Sequence, residues 1–467
     1  MFRGTMEVSN PIPYMHRRQF FQSSAIALGA LGVSRLPLFA QSTIRGTASR
    51  HFTIKDIKRT TVRLSYRPAP QRAMDRELPH WRYSELCEVA LSSGKSGIGE
   101  TLLYYTWGAT EDDDVKRAIG KNAVEIMWDD TLGAGLQMAL FDAVAKTADV
   151  PLHRLFGNQV YTSTPLSWWN IDTSAADMAS ECKLAYDTGY MSYKTKGRPW
   201  FDIHEQLRHA TTVVPESFKI DMDFNDTLRD AKRAIPMLKE LEKHPQVDIY
   251  ETPIPQSDVE GNRRIRDSTR VNIAMHYGNP SPRIVVERGA CDGFVVGGGA
   301  SRTIRAGRFA EEVDMPFWLQ LVGTGITAAY SLHFGAVLSY ARWPAVNCHQ
   351  LYTHQLLADP IIVKDGFSKV PTGPGIGHEI DRDAVERFKV AKPAARPEPE
   401  RLLETTWKDG MRMYIASNGK VNFMLTQGNL ETMPFYKEGA DTKLFPNDGS
   451  PRWRRLYQAA QNKPVFE

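Results

Sequence analysis

Four short polar segments recur along the chain as if each closed a β-strand: Lys194-Thr-Lys196, Asp221-Met-Asp223-Phe-Asn225, Glu251-Thr-Pro-Ile-Pro255 and Met275-His276-Tyr277. Strand alternation puts Lys194 and Lys196 on one face, so two ammonium groups can point into the same space. Asp223 and Glu251, on adjacent strands, offer oxygen donors that suit a hard divalent cation such as Mg²⁺. Taken singly, a Lys-x-Lys is an ordinary solvated strand end, and each carboxylate is a helix cap or a surface charge. Only the joint arrangement carries information.

That arrangement needs a scaffold that brings strand ends together. After about residue 160 strands and helices alternate. Strands are expected at 166–171, 192–196, 218–223, 247–251, 271–275, 293–296, 317–321 and 345–348, with helices such as 226–243 and 302–313 between them. This spacing fits a closed β/α barrel, whose reactive side chains gather at the C-terminal strand ends. An open doubly wound sheet is disfavoured, because no G-x-G-x-x-G opens a helix after the first strand. Upstream, residues 52–100 read as strand, loop and hairpin. Thr110 is expected to cap a helix with an acidic first turn, and a second helix carrying Leu136, Leu140, Ala143 and Val144 stops before Pro151. These elements suggest a small α+β domain. Residues 392–400 are a Pro-rich linker, and 401–467 a folded appendage in which Ser417-Asn418-Gly419 turns between two strands.

Lys-x-Lys on the second strand, Asp-x-Asn on the third and Glu-x-Pro-x-Pro on the fourth resemble the enolase superfamily, in its mandelate racemase and muconate lactonizing branch. Residues 133–142 through 151–157 resemble that family's join between capping domain and barrel. Val370-Pro-Thr-Gly-Pro-Gly-Ile-Gly377 resembles its C-terminal signature. The resemblance covers about residues 52–390. It implies an α/β fold, a modified TIM-type (β/α)7β barrel under an N-terminal α+β capping domain. The expected divisions are a signal segment at 1–40, the cap at 52–157, the barrel with its return to the cap at 160–390, and the appendage at 401–467. The resemblance further implies a divalent metal, Mg²⁺ in the first instance, held by three acidic side chains, and abstraction of a proton α to a carboxylate. Such families use a Lys or His base while the metal stabilises an enediolate. A lysine must be partly neutral to serve as base, and a nearby cation lowers its pKa.

Carried over by residue, Asp223 is the first metal ligand, with Asp221 as a one-step register alternative, and Glu251 the second. The third position falls at His276 or Tyr277, where no acid stands. Histidine there would shift preference towards Mn²⁺, Fe²⁺ or Zn²⁺, or would simply hydrogen-bond in the barrel mouth. Lys196 is the expected base, with Lys194 assisting. Asp292 matches the aspartate of the family's His-Asp pair, but its histidine partner falls at Gln320, and Val295 stands where the muconate branch has lysine. Two-base racemisation is therefore disfavoured. A one-base lyase or cycloisomerase acting on a hydroxy or sugar acid remains, beside a relative that has lost catalysis and binds a small molecule. Asn225 and Gln320 are expected to contact substrate. So are His80 and Arg82 of a capping loop at 67–83, which also carries Arg67, Arg72, Arg76 and Trp81.

Composition bounds the rest. The chain has 467 residues, 42% of them apolar and 24% charged, and a formal charge of +4. Disorder, a disulfide mini-scaffold and a polytopic membrane protein are excluded, and much of the small positive charge sits in the first 40 residues, so nucleic acid is not an expected partner. The expected partner is a small carboxylate, and a homo-oligomer is compatible with the sequence. His16-Arg17-Arg18-Gln19-Phe20-Phe21, with the apolar run 25–33, reads as a twin-arginine export signal too short to span a bilayer. It predicts a bacterial periplasmic protein without a membrane anchor. Cys87, Cys182, Cys291 and Cys348 form no C-x-x-C and are expected as buried thiols.

Overall fold

The computed structural model describes residues 48–105 and 108–467; the signal segment expected at 1–40 lies outside them. The cap begins with an antiparallel sheet of β1 (Ile54–Arg63), β2 (Tyr83–Leu91) and β3 (Ser96–Leu102). The helix Ala134–Thr147 lies on it at backbone contact distance. A Cβ at Gly97 would stand 2.2 Å from the Ala139 carbonyl oxygen, which is why the hairpin carries glycine there. Thr110 does not cap a helix. Its buried hydroxyl bonds Leu132 and Leu136, and Glu111 instead caps Asp112–Ala118 through a capping box with Asp114.

Eight parallel strands among the described residues follow: β4 (Ser163–Trp169), β5 (Ser192–Lys196), β6 (Lys219–Asp223), β7 (Val247–Glu251), β8 (Asn272–His276), β9 (Gly293–Val296), β10 (Phe317–Leu319) and β11 (Ala345–Val346). An α-helix separates each strand from the next, from Ala175–Asp187 to Gly325–Val337. A parallel bridge between Gln320 and Val346 brings β10 to β11 and completes the ring. This is the (β/α)7β barrel expected from the sequence. Its strands are apolar runs such as Ile249-Tyr250 because both faces are covered. A short strand, β12 (Phe367–Lys369), returns antiparallel to β4.

Two buried carboxylates fix the cap to the barrel. Glu100 of β3 accepts hydrogen bonds from the Thr324 and Thr327 amides (2.7 and 2.8 Å) at the start of helix Gly325–Val337, where an anion complements the exposed N–H groups. Asp142 accepts from the Ile98 amide of the hairpin and the Ile376 amide of the C-terminal signature, each at 2.8 Å. Gly375, with φ 72°, lets that signature pass so close that a Cβ would lie 2.0 Å from the Asp142 oxygen.

The C-terminal residues form an antiparallel sheet in the order β15 (Asp441–Leu444), β13 (Leu402–Thr406), β14 (Arg412–Ala416), β16 (Val465–Phe466). Ser417-Asn418-Gly419 leads from β14 towards the helix Phe423–Asn429, not into a strand as expected. Trp200 and Phe201 of the barrel share one apolar cluster with Leu403, Trp407, Phe423 and Met424, so the C-terminal sheet packs on the loop after β5. The four cysteines are buried free thiols.

Candidate active site

The C-terminal ends of β5, β6, β7 and β8 converge on one cavity of about 430 Å³. Neighbouring strands set Lys196 beside Asp223 and Asp223 beside Glu251 in register. Lys196 forms an ion pair with Asp223 and donates to Asn225 Oδ1 at 3.0 Å. Lys194 forms an ion pair with Glu251, donates to Gln320 Oε1 at 2.8 Å and lies 4.8 Å from the Trp318 ring centre. His276 Nε2 is 2.9 Å from the other Glu251 oxygen. The Lys194 side chain is 1% exposed and that of Lys196 15%, so Lys196 is the more open of the two.

The electrostatics differ between the lysines. Burial opposes charge on both. For Lys194 the carboxylates of Glu251 and Asp223 outweigh burial, and its pKa is raised. For Lys196 burial prevails over Asp223, with Lys194 adding repulsion, and its pKa is lowered. Glu251 is also buried, yet Lys194 and His276 hold its carboxyl well below the usual range. Non-glycine residues with positive φ follow three of the strands, at Asn225 (43°), Thr252 (46°) and Cys348 (61°). Such conformations cost about 1–3 kcal/mol each and gather where a site over-determines the backbone.

Residues 177–384 match the family described as Enolase C-terminal domain-like. That stretch of the chain is an enolase C-terminal domain-like region. A D-gluconate dehydratase from Thermoproteus tenax is 22% identical across 87% of this chain and 91% of its own length. An N-succinylamino acid racemase from Thermus thermophilus is 26% identical across 54% of this chain and 70% of its own. The fold is shared with the crystal structure of muconate lactonizing enzyme from Pseudomonas fluorescens, with a TM-score of 0.59, 21% identity, and coverage of 73% of this chain and 100% of that one. Enolase-superfamily relatives include sugar-acid dehydratases, racemases and cycloisomerases, and members use a divalent metal, typically Mg²⁺.

Within this barrel the predicted residues divide. Lys194, Lys196, Asp223, Asn225, His276, Gln320 and His80 line the one cavity, and Glu251 lies against Lys194 and His276 at its edge. Asp221 does not line it. It sits one layer deeper, facing Ser192, and burial pushes its carboxyl pKa well above the usual range. At the end of β8, His276 faces Glu251, whereas Tyr277 packs on Phe294 and Phe309. Asp292 is a correction. It precedes β9, at the opposite end of the barrel, where its carboxylate accepts from Arg266 (2.6 Å) and the Ile273 amide (2.8 Å).

The capping segment is a second correction. Residues 67–83 are not an open loop but hold the helix Pro68–Glu77 and a 3₁₀ turn at Pro79–Arg82. Their arginines are consumed by structure: Arg67 by Glu181, Arg72 by Asp177, Arg76 by Asp172, and Arg82 by Asp75 with the Tyr66 ring beneath it. Only Leu78, His80 and Trp81 of this segment reach the cavity. Sequence reasoning also missed Arg198, which donates to Asn225 Oδ1 at 2.6 Å, and Val421, Asn422 and Leu425 from the C-terminal unit. Arg198 was findable, since it continues the alternation of Lys194 and Lys196; the other three left no local signal.

The donor set fits a divalent cation. Both Glu251 oxygens are buried and find no well-directed hydrogen bond among the described residues, although charged groups lie beside them. Asp223 and Glu251 would hold the ion with His276 as a neutral nitrogen donor, one negative charge fewer than three carboxylates. Among the described residues these groups are not already arranged as a three-ligand cage, and each carboxylate is paired with a lysine, Glu251 with Lys194 and Asp223 with Lys196.

Proposed function

We propose that this protein removes the proton α to a carboxylate with a single base, Lys196, and is a dehydratase of a hydroxy or sugar acid or a cycloisomerase. The observation that carries the reading is an asymmetry. One wall of the cavity presents Lys194 and Lys196, while β9, which ends in Val295-Val296, gives the lining no side chain, and the residue after β10 gives it Gln320, which does not exchange protons. A divalent cation on Asp223, Glu251 and His276 would offset the charge that develops on the carboxylate oxygens. Lys194, fixed as a cation by Glu251, binds the carboxylate. Gln320, Asn225 and Arg198 orient the remainder.

In the dehydration, Lys196 takes the α-proton and the C–H electron pair passes into the carboxylate. Collapse then breaks the β-carbon–oxygen bond, and the departing hydroxide takes the proton back from Lys196 as water. The enol left behind tautomerises to a keto acid. Because one group both accepts and returns the proton, elimination should be syn. Incubating candidate acids in D₂O tests the reading: deuterium is expected at C3 of the keto acid where elimination follows, or at the α-carbon of recovered substrate where deprotonation is reversible, and the absence of both across hydroxy, sugar and unsaturated acids rejects it.

Lys194 and Lys196 occupy both presumptive metal carboxylates, and this favours a second reading, a metal-free binding protein. Metal titration separates the two. Mg²⁺ and Mn²⁺ should both bind, and His276→Ala should weaken Mn²⁺ more than Mg²⁺, because a nitrogen donor favours Mn²⁺. Equal affinities in mutant and wild type reject His276 as a ligand, and no binding at all supports the second reading. The twin-arginine pattern keeps the periplasm as the proposed site of action.

A further inference from the structure

The cavity lining is of two kinds. Charged side chains come from the strand ends that carry the lysines; the cap adds Leu78, His80 and Tyr104, and the C-terminal unit adds Val421, Asn422 and Leu425. Trp81 and Trp169, both in the lining, stack with ring centres 5.7 Å apart at 20°. His80 is 1% exposed, and neither ring nitrogen has a hydrogen-bond partner among the described residues. A buried polar group left unpaired costs about 1–3 kcal/mol, so a site that strands one is built for something that pairs it.

The C-terminal wall is held in place from both sides. Arg401 donates to the Arg76 and Glu77 carbonyls of the cap at 2.7 and 3.1 Å. Tyr436 donates to the Gly197 carbonyl at the end of β5 at 2.9 Å. Asn422, which enters the helix Phe423–Asn429 in a left-handed conformation (φ 56°), makes no capping bond with its side chain.

We infer that the C-terminal unit is part of the substrate site: Val421 and Leu425, in one cavity with Trp81 and Leu78, receive an aryl or alkyl group at the end of a hydroxy carboxylate away from its carboxyl group, and His80 hydrogen-bonds a neutral polar atom on it. Burial, reinforced by Arg396 and Arg401, pushes the His80 pKa down to about 3, so the ring is neutral and does not call for a second carboxylate. Polyhydroxylated chains are disfavoured, because they carry more hydroxyls than His80 can pair, and the rest would face the Trp81–Trp169 stack and the two aliphatic side chains.

The inference rests on the lysine end holding the carboxylate, but its test reads binding and not turnover. Three acids of equal charge serve as probes, gluconate, 3-phenyllactate and 3-(4-hydroxyphenyl)lactate, titrated into the Mg²⁺-supplied full chain by calorimetry. The aryl acids are expected to bind about ten- to a hundredfold more tightly than gluconate, and the phenol more tightly than the plain ring. Leu425→Ser should erase the preference for aryl over gluconate. His80→Phe should erase the preference for the phenol while leaving that for the ring. Both variants are checked for an unchanged circular-dichroism spectrum, and Asn422→Gly, on an exposed residue, gives a second reading of the wall. Equal or tighter binding of gluconate, an unchanged preference in Leu425→Ser, or no binding of any probe overturns the inference. Tight aryl binding without deuterium in recovered substrate or in product, from any acid tested, would leave it standing while rejecting the one-base chemistry.

Discussion

Replacing Lys196 by alanine is expected to slow α-proton exchange by about 10²- to 10⁴-fold, the range that a positioned base contributes. Lys196→Arg should not rescue it, because a guanidinium does not deprotonate in a protein. Lys194→Arg keeps the cation and should mainly weaken carboxylate binding. In the wild type the rate should rise with pH, since the neutral amine is the active form, and fall as acid protonates it. That limb should lie below the ordinary lysine range, in the direction set by burial and by Lys194 against Asp223. Deuterium incorporation followed by NMR from pH 6 to 10 checks both statements. Exchange unchanged in Lys196→Ala would end the assignment, whatever happens to affinity.

Acid should unfold the protein steeply. Burial lowers the pKa of His333 and His80 to about 3 and that of His349 to about 4, from an ordinary 6.5. The unfolded chain therefore binds protons that the folded chain refuses. Stability is complete above pH 6.5 and is lost as pH falls towards the folded values, by about 1.4 kcal/mol per pH unit for each histidine. Geometry explains the refusal at His333. Its Nδ1 accepts from the His153 amide at 3.2 Å and its Nε2–H faces the Ile376 carbonyl at 3.2 Å, so a second ring proton would meet an N–H donor. Urea midpoints measured from pH 7.5 to 4.5 give the slope. His333→Leu should be less stable at neutral pH, having stranded two backbone groups, yet show a shallower decline. A slope equal to wild type would exclude His333 as a contributor.

The barrel was legible because its signal is local. Short runs that mix apolar and polar residues and end in Lys, Asp, Glu or His put β5 to β8 within a residue of their observed bounds, and alternation set the facing side chains. The failures came where that signal stops. Asp292 was placed in the site by the family resemblance, although the strand expected at 293–296 already set it before β9, at the end of the barrel away from the site. The helix Pro68–Glu77 was hidden by its arginines, which suggest a solvated basic loop. Pro68 at the first helical position and the buried pair Ala73 and Met74 were the opposing cues. Charge in a sequence does not reveal whether a partner waits elsewhere, and Asp177, Glu181 and Asp172 waited about 100 residues downstream. Leu425 was beyond any local reading. It stands more than 200 positions from Lys196, and only the packing of the C-terminal sheet on Trp200 brings them together.

That packing bears on how the molecule is made. As the chain leaves the ribosome, the strands from β4 to β11 are complete before any of residues 401–467 exist. A barrel folded at that stage presents Trp200 and Phe201, each at most 2% exposed in the finished structure, directly to water. Arg76 waits for a carbonyl 366 residues away, at Thr442. Pairings of such separation form late, since loop closure must precede any reward from the contact. Newborn molecules therefore pass through a stage with an adhesive aromatic face and a half-walled cavity. Holding that face apart from other chains until β13 and the helix Phe423–Asn429 arrive is work suited to a chaperone.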